Sequence, residues 1–526
     1  MFEDFRANES AHDYDADICI MGGGAAGITI ARELAKGHYK VLLVESGDLD
    51  PDQDTIELND GKVIGEPYPP LDTARLRYFG GSTNHWDGHC RPLDPIDFEA
   101  RDWLPHSGWP ITRKDLEPFF ARANDVCELG PYQYDPEAWR PELGLMPFDK
   151  TKWVDRLWHY SPPTRFGQKY RDELKAAQNI HVLFNANVVD IVLNQSGSAV
   201  TQFELKALGG KEGTVRAKMF VVAGGGIENP RILLASNKQM SAGIGNANDL
   251  VGRFFLEHPH AQLAYAVPSF DLDKFKVYYG GVEATIPAGT AVIQSKPGLT
   301  EEYQRAHRIR NGTIDVGHGY DRSPGYLAFR DAARFVREGD MPDHIGRHLV
   351  TMADDLSGTL EGMYYKLRDH DVLWFATSVE QEPNPNSRVT LDTERDALGS
   401  PRAVLDWRLT ADDKDAVRIY IRMLGEEMAR LGLARMRIDQ WLLDQGPEWS
   451  DLGVRYHHMG TTRMSDDPKT GVVDRDCRVH GIANLYIAGS SIFTTAGYAN
   501  PTLTIVALAL RLADHLEKQG TEADAG

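Results

Sequence analysis

The apolar positions of this chain fall into short continuous runs, several of which break into glycine. Ile18–Met21 is one such run; it ends at Gly22-Gly23-Gly24-Ala25-Ala26-Gly27, apolar residues return at helical spacing from Ile28 to Lys36, and a second continuous run follows at Lys40–Val44. A short apolar run bounded by turn residues reads as a buried strand, and a period near 3.6 reads as an amphipathic helix, so the stretch predicts one βαβ unit. The pattern recurs. His181–Phe184 and Val188–Leu193 predict strands, Lys218–Ala223 predicts a buried strand ending in Gly224-Gly225-Gly226, and Leu485–Ala488 predicts another. Helices are expected over Thr112–Cys127, from Glu228 onward with Pro230 near the first turn, over Ala411–Leu431, and over Leu503–Glu517. Thr410, with Asp413 three residues on, has the chemistry of a helix cap. Asn500 and Pro501 suit the N-cap and first position of the last helix. Two strands around a loop are expected between Glu380 and Thr410. Gly47–Pro70 and Glu137–Arg165, rich in proline, read as irregular, and residues 519–526 as a disordered polar tail.

The first glycine turn carries a specific chemistry. Gly22 permits a tight turn, Gly24 lets backbone approach a pyrophosphate, and Gly27 lets the helix pack on the strands. The helix opening at Ala25 then presents its positive end to phosphate. Glu45 lies eighteen residues beyond Gly27, at the end of the second strand, where a carboxylate can accept hydrogen bonds from a ribose diol. A dinucleotide follows, with FAD and NAD both open. Gly80-Gly81-Ser82-Thr83-Asn84-His85 is a second place where backbone amides come close to a cofactor.

Composition narrows the partners. The chain has 526 residues, enough for two or three domains or one domain interrupted by another, and its apolar content of 42% supports packed cores. A net charge of −20 argues against a nucleic-acid partner. The N-terminus lacks an apolar signal segment, and Leu503–Leu510 is too short to span a bilayer, so no membrane span is expected. Four scattered cysteines without paired spacing point to free thiols and a cytoplasmic setting. The arginines between Arg330 and Arg337 read as a charged helical face. His85 with His89, and His258 with His260, have ligand-like spacings but no third ligand, so no metal site is expected.

Read together, the Gly80–Trp86 loop, Gly108-Trp109-Pro110, Glu228-Asn229-Pro230, Leu250–Pro259, Pro383–Leu391, Tyr456–Met464 and Ala496–Thr502 resemble the glucose-methanol-choline (GMC) family of flavin oxidoreductases. The resemblance runs from about Asp15 to Glu517 and fades between Ala261 and Asp371. It implies FAD as the cofactor. It also implies an α/β (α+β overall) fold in which a Rossmann-like FAD-binding domain, residues 12–100, 181–259 and 451–518, is interleaved with a substrate domain, residues 101–180 and 260–450. The substrate domain is built on an antiparallel sheet with helices. Gly22, Gly24, Ala25, Gly27, Glu45, Gly81, Ser82, Asn84, His85, Val189, Gly489, Ser490, Pro501 and Thr502 are the positions that would meet the cofactor, with Val189 offering backbone to the adenine. The start of the last helix would face the flavin pyrimidine edge, where negative charge develops.

The family's catalytic pair, His with His or Asn, maps onto His457 and Asn500. His457 is preferred over His458 by its spacing to Gly460 and Thr461. The expected chemistry has His457 Nε2 take the proton of an alcohol while the carbinol hydrogen leaves as hydride to flavin N5, with Asn500 holding the oxygen. In the pyranose oxidase branch a histidine spaced like His85 bonds covalently to the flavin. Here Asn84 replaces a threonine, so a covalent link and a merely hydrogen-bonded histidine stand side by side. Asn84-His85-Trp86, Glu228-Asn229-Pro230 and Pro383–Asn386 look most like bacterial sugar, glycoside and polyol oxidoreductases. A sugar or glycoside oxidised at a secondary hydroxyl, C2 or C3, is therefore the first expectation, with oxygen or another electron acceptor as second substrate. Aryl or aliphatic alcohols are the alternative within the family; an NAD-dependent dehydrogenase is the alternative from outside it.

Overall fold

The computed structural model describes residues 1–7, 13–319, 324–338, 345–367, 372–444, 446, 448–449 and 452–525. The first glycine turn sits where its pattern placed it. The strand Asp13–Met21 feeds the helix Ala25–Leu34, which returns to the parallel strand Val41–Val44. The helix starts three residues earlier than its apolar period suggests, because Ala25 and Ala26, strong helix formers, are wound into its first turn.

These strands belong to an eight-stranded mixed sheet. Its parallel part runs Phe2–Asp4, Ile180–Phe184, Val41–Val44, Asp13–Met21, Glu212–Val222. Beyond Glu212–Val222 the edge divides: its first half pairs antiparallel with Val200–Lys206, and its second half pairs parallel with Leu485–Ile487. The order departs from the chain order, so segments hundreds of residues apart line one crevice at the strand ends, where open α/β sheets bind ligands. Ile18, Ile20, Val41, Leu43, Val221 and Leu485 are among the fully buried residues of this sheet's core.

A second eight-stranded sheet is antiparallel throughout: Ala434–Ile438, Gln262–Pro268, Leu373–Val379, Gly312–His318, Gly289–Leu299, Trp153–Tyr160 and His89–Cys90, with Val282–Ile286 on Gly289–Leu299. The helix Ala411–Arg430 packs on it through Val417, Tyr420, Ile421 and Leu424. Thr410 and Asp413 cap that helix reciprocally, as Thr112 and Asp115 cap Arg113–Val126; such a cap is worth about 1 kcal/mol. The architecture is thus α/β with a second, antiparallel sheet.

Four local expectations are corrected. Trp153–Tyr160, inside the stretch read as irregular, is a strand whose run of buried residues Arg156–His159 hides its alternation; Gly289–Leu299 pairs with seven of its residues. Gly61–Gly65, read as loop, joins Pro401–Trp407 and Arg388–Arg395 in a three-stranded sheet. The C-terminal helix runs Thr502–Ala525, through the residues expected to form a disordered tail. It also begins after Pro501 rather than at it: the Ile505 amide bonds the Pro501 carbonyl, and the Asn500 side chain is engaged elsewhere instead of capping.

Candidate active site

The first half of the site is made of backbone. Gly22 has φ +103°, and a Cβ there would stand 2.6 Å from the Ala223 carbonyl oxygen. A Cβ on Gly27 would stand 1.9 Å from the Gly22 carbonyl oxygen, so only glycine lets the helix sit on its own turn. Gly24 differs: a Cβ there meets nothing within 4 Å, and the helix it precedes has no side-chain cap. The second glycine turn closes on it, since a Cβ on Gly81 would find the Gly24 Cα at 3.2 Å and the Gly80 amide bonds the Gly23 carbonyl. Gly225 and Gly489 also face space that no protein atom fills. Glycine turns around an open groove, at the uncapped start of Ala25–Leu34, fit a pyrophosphate.

Glu45 is buried and does more than face a ribose. Its Oε2 accepts the Gly23 amide at 2.7 Å, and its Oε1 accepts the Gly47 amide at 2.9 Å and the Ser46 hydroxyl at 3.2 Å. Oε2, with a single bond, keeps a lone pair for a further donor. Val189 lies where the register of Asn187–Leu193 skips a residue against Val200–Lys206, so its backbone stands outside the regular ladder. Ser82 is exposed, and the Asn84 amide donates to the Phe79 carbonyl, bracing the turn. His85 is exposed with Nε2 2.8 Å from the Tyr78 hydroxyl, while His89 stacks on Tyr160 at 4.1 Å, so the two do not converge on one point. The Ser490 hydroxyl donates to the His458 carbonyl, tying the Gly489 turn to the segment that carries His457. Among the described residues no group of three or more possible ligands could hold a metal ion, and no helix is long and apolar enough to cross a membrane.

The second half of the site is made of buried side chains. His457 follows Tyr456, a non-glycine residue with φ +60°, and its amide donates to both oxygens of Glu257 at 2.9 Å. Its Nδ1 lies 2.8 Å from Nδ1 of His258, whose Nε2 lies 2.9 Å from the Gly497 carbonyl oxygen. His258 thus stands between His457 and the loop that carries Asn500. The Asn500 Oδ1 accepts the Trp158 indole N–H at 3.1 Å. That fixes the sense of the amide, leaving its NH₂ as the group to offer a substrate oxygen. His458 turns the other way: its Nε2 lies 2.8 Å from the Tyr68 hydroxyl, which donates to Glu257 at 2.7 Å.

Burial dominates the electrostatics. It lowers His457 well below the ordinary histidine value, helped by the charges of Arg455 and Lys296, and lowers His258 to about 4 and His458 to about 3. The same burial raises the Glu257 carboxyl to about 7 against the hydrogen bonds it accepts. His457 is therefore a neutral imidazole well into the acidic range.

Beside Asn500 stands a charged wall that the sequence did not mark. The Lys296 ammonium lies 4.4 Å from the Trp158 ring centroid and 2.5 Å from Asp315; Arg455 meets the other oxygen of Asp315 at 2.6 Å and His260 Nδ1 at 2.9 Å. Arg455 Nε is buried without a partner. These residues come from five strands or loops, and no spacing could have grouped them; His258 and His260 were conspicuous only as a metal-like pair. Glu228 and Asn229 are structural. Glu228 is gripped by Arg75, Arg77 and Arg231, and Asn229 joins the Gly224 amide to the Ala488 carbonyl. A separate open cavity of 690 Å³, lined by Glu66, Arg253, Asn384, Arg388 and Trp407 among others, includes neither His457 nor Asn500.

Residues 383–509 match the GMC oxidoreductase C-terminal model, and residues 17–245 match the FAD dependent oxidoreductase model. The 2-methyl-1,2-propanediol dehydrogenase of Mycolicibacterium austroafricanum is 23% identical, over 96% of this chain and 95% of that protein. The C-glycoside 3-oxidase of Microbacterium trichothecenolyticum is 27% identical over 64% of this chain and 54% of its own. A solved structure of the Aspergillus oryzae formate oxidase superposes with a TM-score of 0.59 at 16% identity, covering 98% of this chain and all of that one, which speaks to the fold.

Proposed function

The chain belongs with the GMC flavin oxidoreductases, an FAD-dependent enzyme acting on alcohol donors, and on that premise we propose that it oxidises a secondary hydroxyl, at C2 or C3, of a sugar or glycoside. The observation that carries the choice is the wall beside Asn500. Trp158 offers an apolar ring face, while the ammonium of Lys296 and the guanidinium of Arg455 have more N–H donors than their contacts to Asp315 and His260 use. A substrate with one hydroxyl would bury those donors unsatisfied, at about 1–3 kcal/mol each, whereas a polyhydroxylated ring can accept from several of them.

In this reading the backbone of Gly22–Gly27, with Glu45, Gly81, Val189, Gly489 and the start of the helix Thr502–Ala525, holds FAD. Bound there, FAD supplies the acceptor for the hydride of the carbinol carbon. The chain does the rest. Asn500 donates through its NH₂ to the alcohol oxygen and keeps it in place, while His457, neutral and unable to leave its pocket, takes the hydroxyl proton on Nε2. Exclusion of water by the burial around His258, Glu257 and Trp158 strengthens both hydrogen bonds.

The test is anaerobic mixing of the holoenzyme with monosaccharides, glycosides, polyols, benzylic alcohols and short aliphatic diols, following loss of the flavin's visible absorbance. Bleaching by the sugars or glycosides is the expected outcome, and analysis of the product locates the carbonyl. Bleaching confined to benzylic alcohols or to diols would replace this substrate class; the diol reading has its support in the dehydrogenase relative of matching length.

A further inference from the structure

His258 is buried to 1% exposure, is not among the residues assigned above to substrate or FAD, and yet both of its ring nitrogens are engaged. We infer that His258 is a positioning residue that fixes the proton of His457 on Nδ1 and so leaves the Nε2 lone pair of His457 bare for the substrate. The inference rests on the reading of His457 as the base and adds how that base is kept in the form that can act.

The hydrogen-bonding capacity of each atom locates the protons. The Gly497 carbonyl oxygen has no proton, so at 2.9 Å it accepts from His258, and His258 carries its proton on Nε2. A neutral imidazole has one N–H; Nδ1 of His258 is then an acceptor. His457 Nδ1, 2.8 Å away, has to donate to it, and the single proton of neutral His457 is thereby located. Nε2 remains unprotonated. A charged His258 would reverse the outcome, since both its nitrogens would donate, His457 Nδ1 would accept, and the proton of His457 would move to Nε2, where it blocks proton abstraction. The surroundings favour the neutral form: burial comes first, and the positive charge of Arg455 adds to it.

Geometry reinforces the hydrogen bonds. The rings of His258 and His457 are perpendicular, with centroids 5.0 Å apart, so one nitrogen lone pair of the first points at the edge of the second. The backbone amides of both histidines donate to the same carboxylate, Glu257, the His258 amide at 2.7 Å and the His457 amide at 2.9 Å. One buried acid thus holds the two main chains in fixed relation. This is the logic by which an acceptor behind a catalytic imidazole sets its tautomer, with a neutral histidine in the acceptor's place.

The proton position is read directly from the imidazole ¹⁵N shifts of the FAD-loaded enzyme labelled in histidine. The His457 signals are identified by their loss in His457→Ala. Nδ1 protonated and Nε2 bare is the expected result; a protonated Nε2 overturns the inference, and neither outcome depends on which alcohol is the substrate. Kinetics supply a second arm, using whichever alcohol reduces the flavin. His258→Leu removes the acceptor, and at full FAD occupancy the flavin reduction rate should fall by about 10²-fold or more with little change in KM. His258→Asn restores an oxygen near the Nδ1 position and should recover the rate to within about tenfold. Reduction by His258→Leu at the native rate, or an Asn variant no better than Leu, overturns the assignment.

Discussion

The two halves of the candidate site are built on opposite physical plans. Around Gly22–Gly27 the groove is shaped by missing side chains: glycines at 22 and 27 allow contacts that a Cβ would forbid, and glycines at 24, 225 and 489 leave space open. Around His457 the site is shaped by side chains that cannot move, each hydrogen-bonded to a partner from another segment. The first plan tolerates nothing added. The second tolerates nothing removed, because a buried donor or acceptor left alone costs about 1–3 kcal/mol.

Substitutions should therefore fail differently on the two sides. The largest effect is expected for Gly27→Val, which puts its side chain into the Gly22 carbonyl: the purified protein should carry no flavin absorbance. Retention of stoichiometric FAD by that variant would show that the turn can relax. His457→Ala is the converse case. It should keep FAD and lose roughly 10³-fold in flavin reduction under anaerobic stopped flow, the scale of a general base. Asn500→Ala removes a donor to the alcohol oxygen without removing the base, so a smaller fall, about 10²-fold, is expected with FAD again in place.

The mildest test is pH. His89, His159 and His258 are lowered to about 4, and His260 and His458 to about 3, in each case first by burial. Below the ordinary histidine value the unfolded chain takes up protons that the folded chain refuses. Stability from these groups is complete above pH ~6.5 and is lost on acidification toward 4. Glu257, raised to about 7, and Asp97, raised to about 8, act in the opposite sense, losing stability as pH rises from the carboxylate range to those values. Five histidines against two acids predict a melting temperature that falls between pH 6.5 and 4. A flat profile would mean that the catalytic half is less closed than its hydrogen bonds suggest.

The same contrast explains which parts of the molecule could be read from the chain. The βαβ unit was legible because strand, turn and helix follow one another within thirty-odd residues, and their periods and glycines are local properties. Thr410 with Asp413 was legible for the same reason. His457 and Asn500 were found only through motifs shared with a family. Trp158 was missed twice, as a strand residue and as the partner of Asn500, since its strand is defined by pairing with Gly289–Leu299 and nothing near it in sequence reports that.

By itself the sequence determined the dinucleotide turn, the apolar strands of the first sheet and the chemical inventory of the C-terminal motifs. Tertiary structure decided which nitrogen of His457 has a lone pair, which way the Asn500 amide faces, and that Lys296, Asp315 and Arg455 share one wall. The reason is one of range. Backbone conformation answers to neighbours along the chain, whereas a proton's position and a buried ion pair answer to atoms brought within 3 Å by packing, 199 residues apart for His258 and His457.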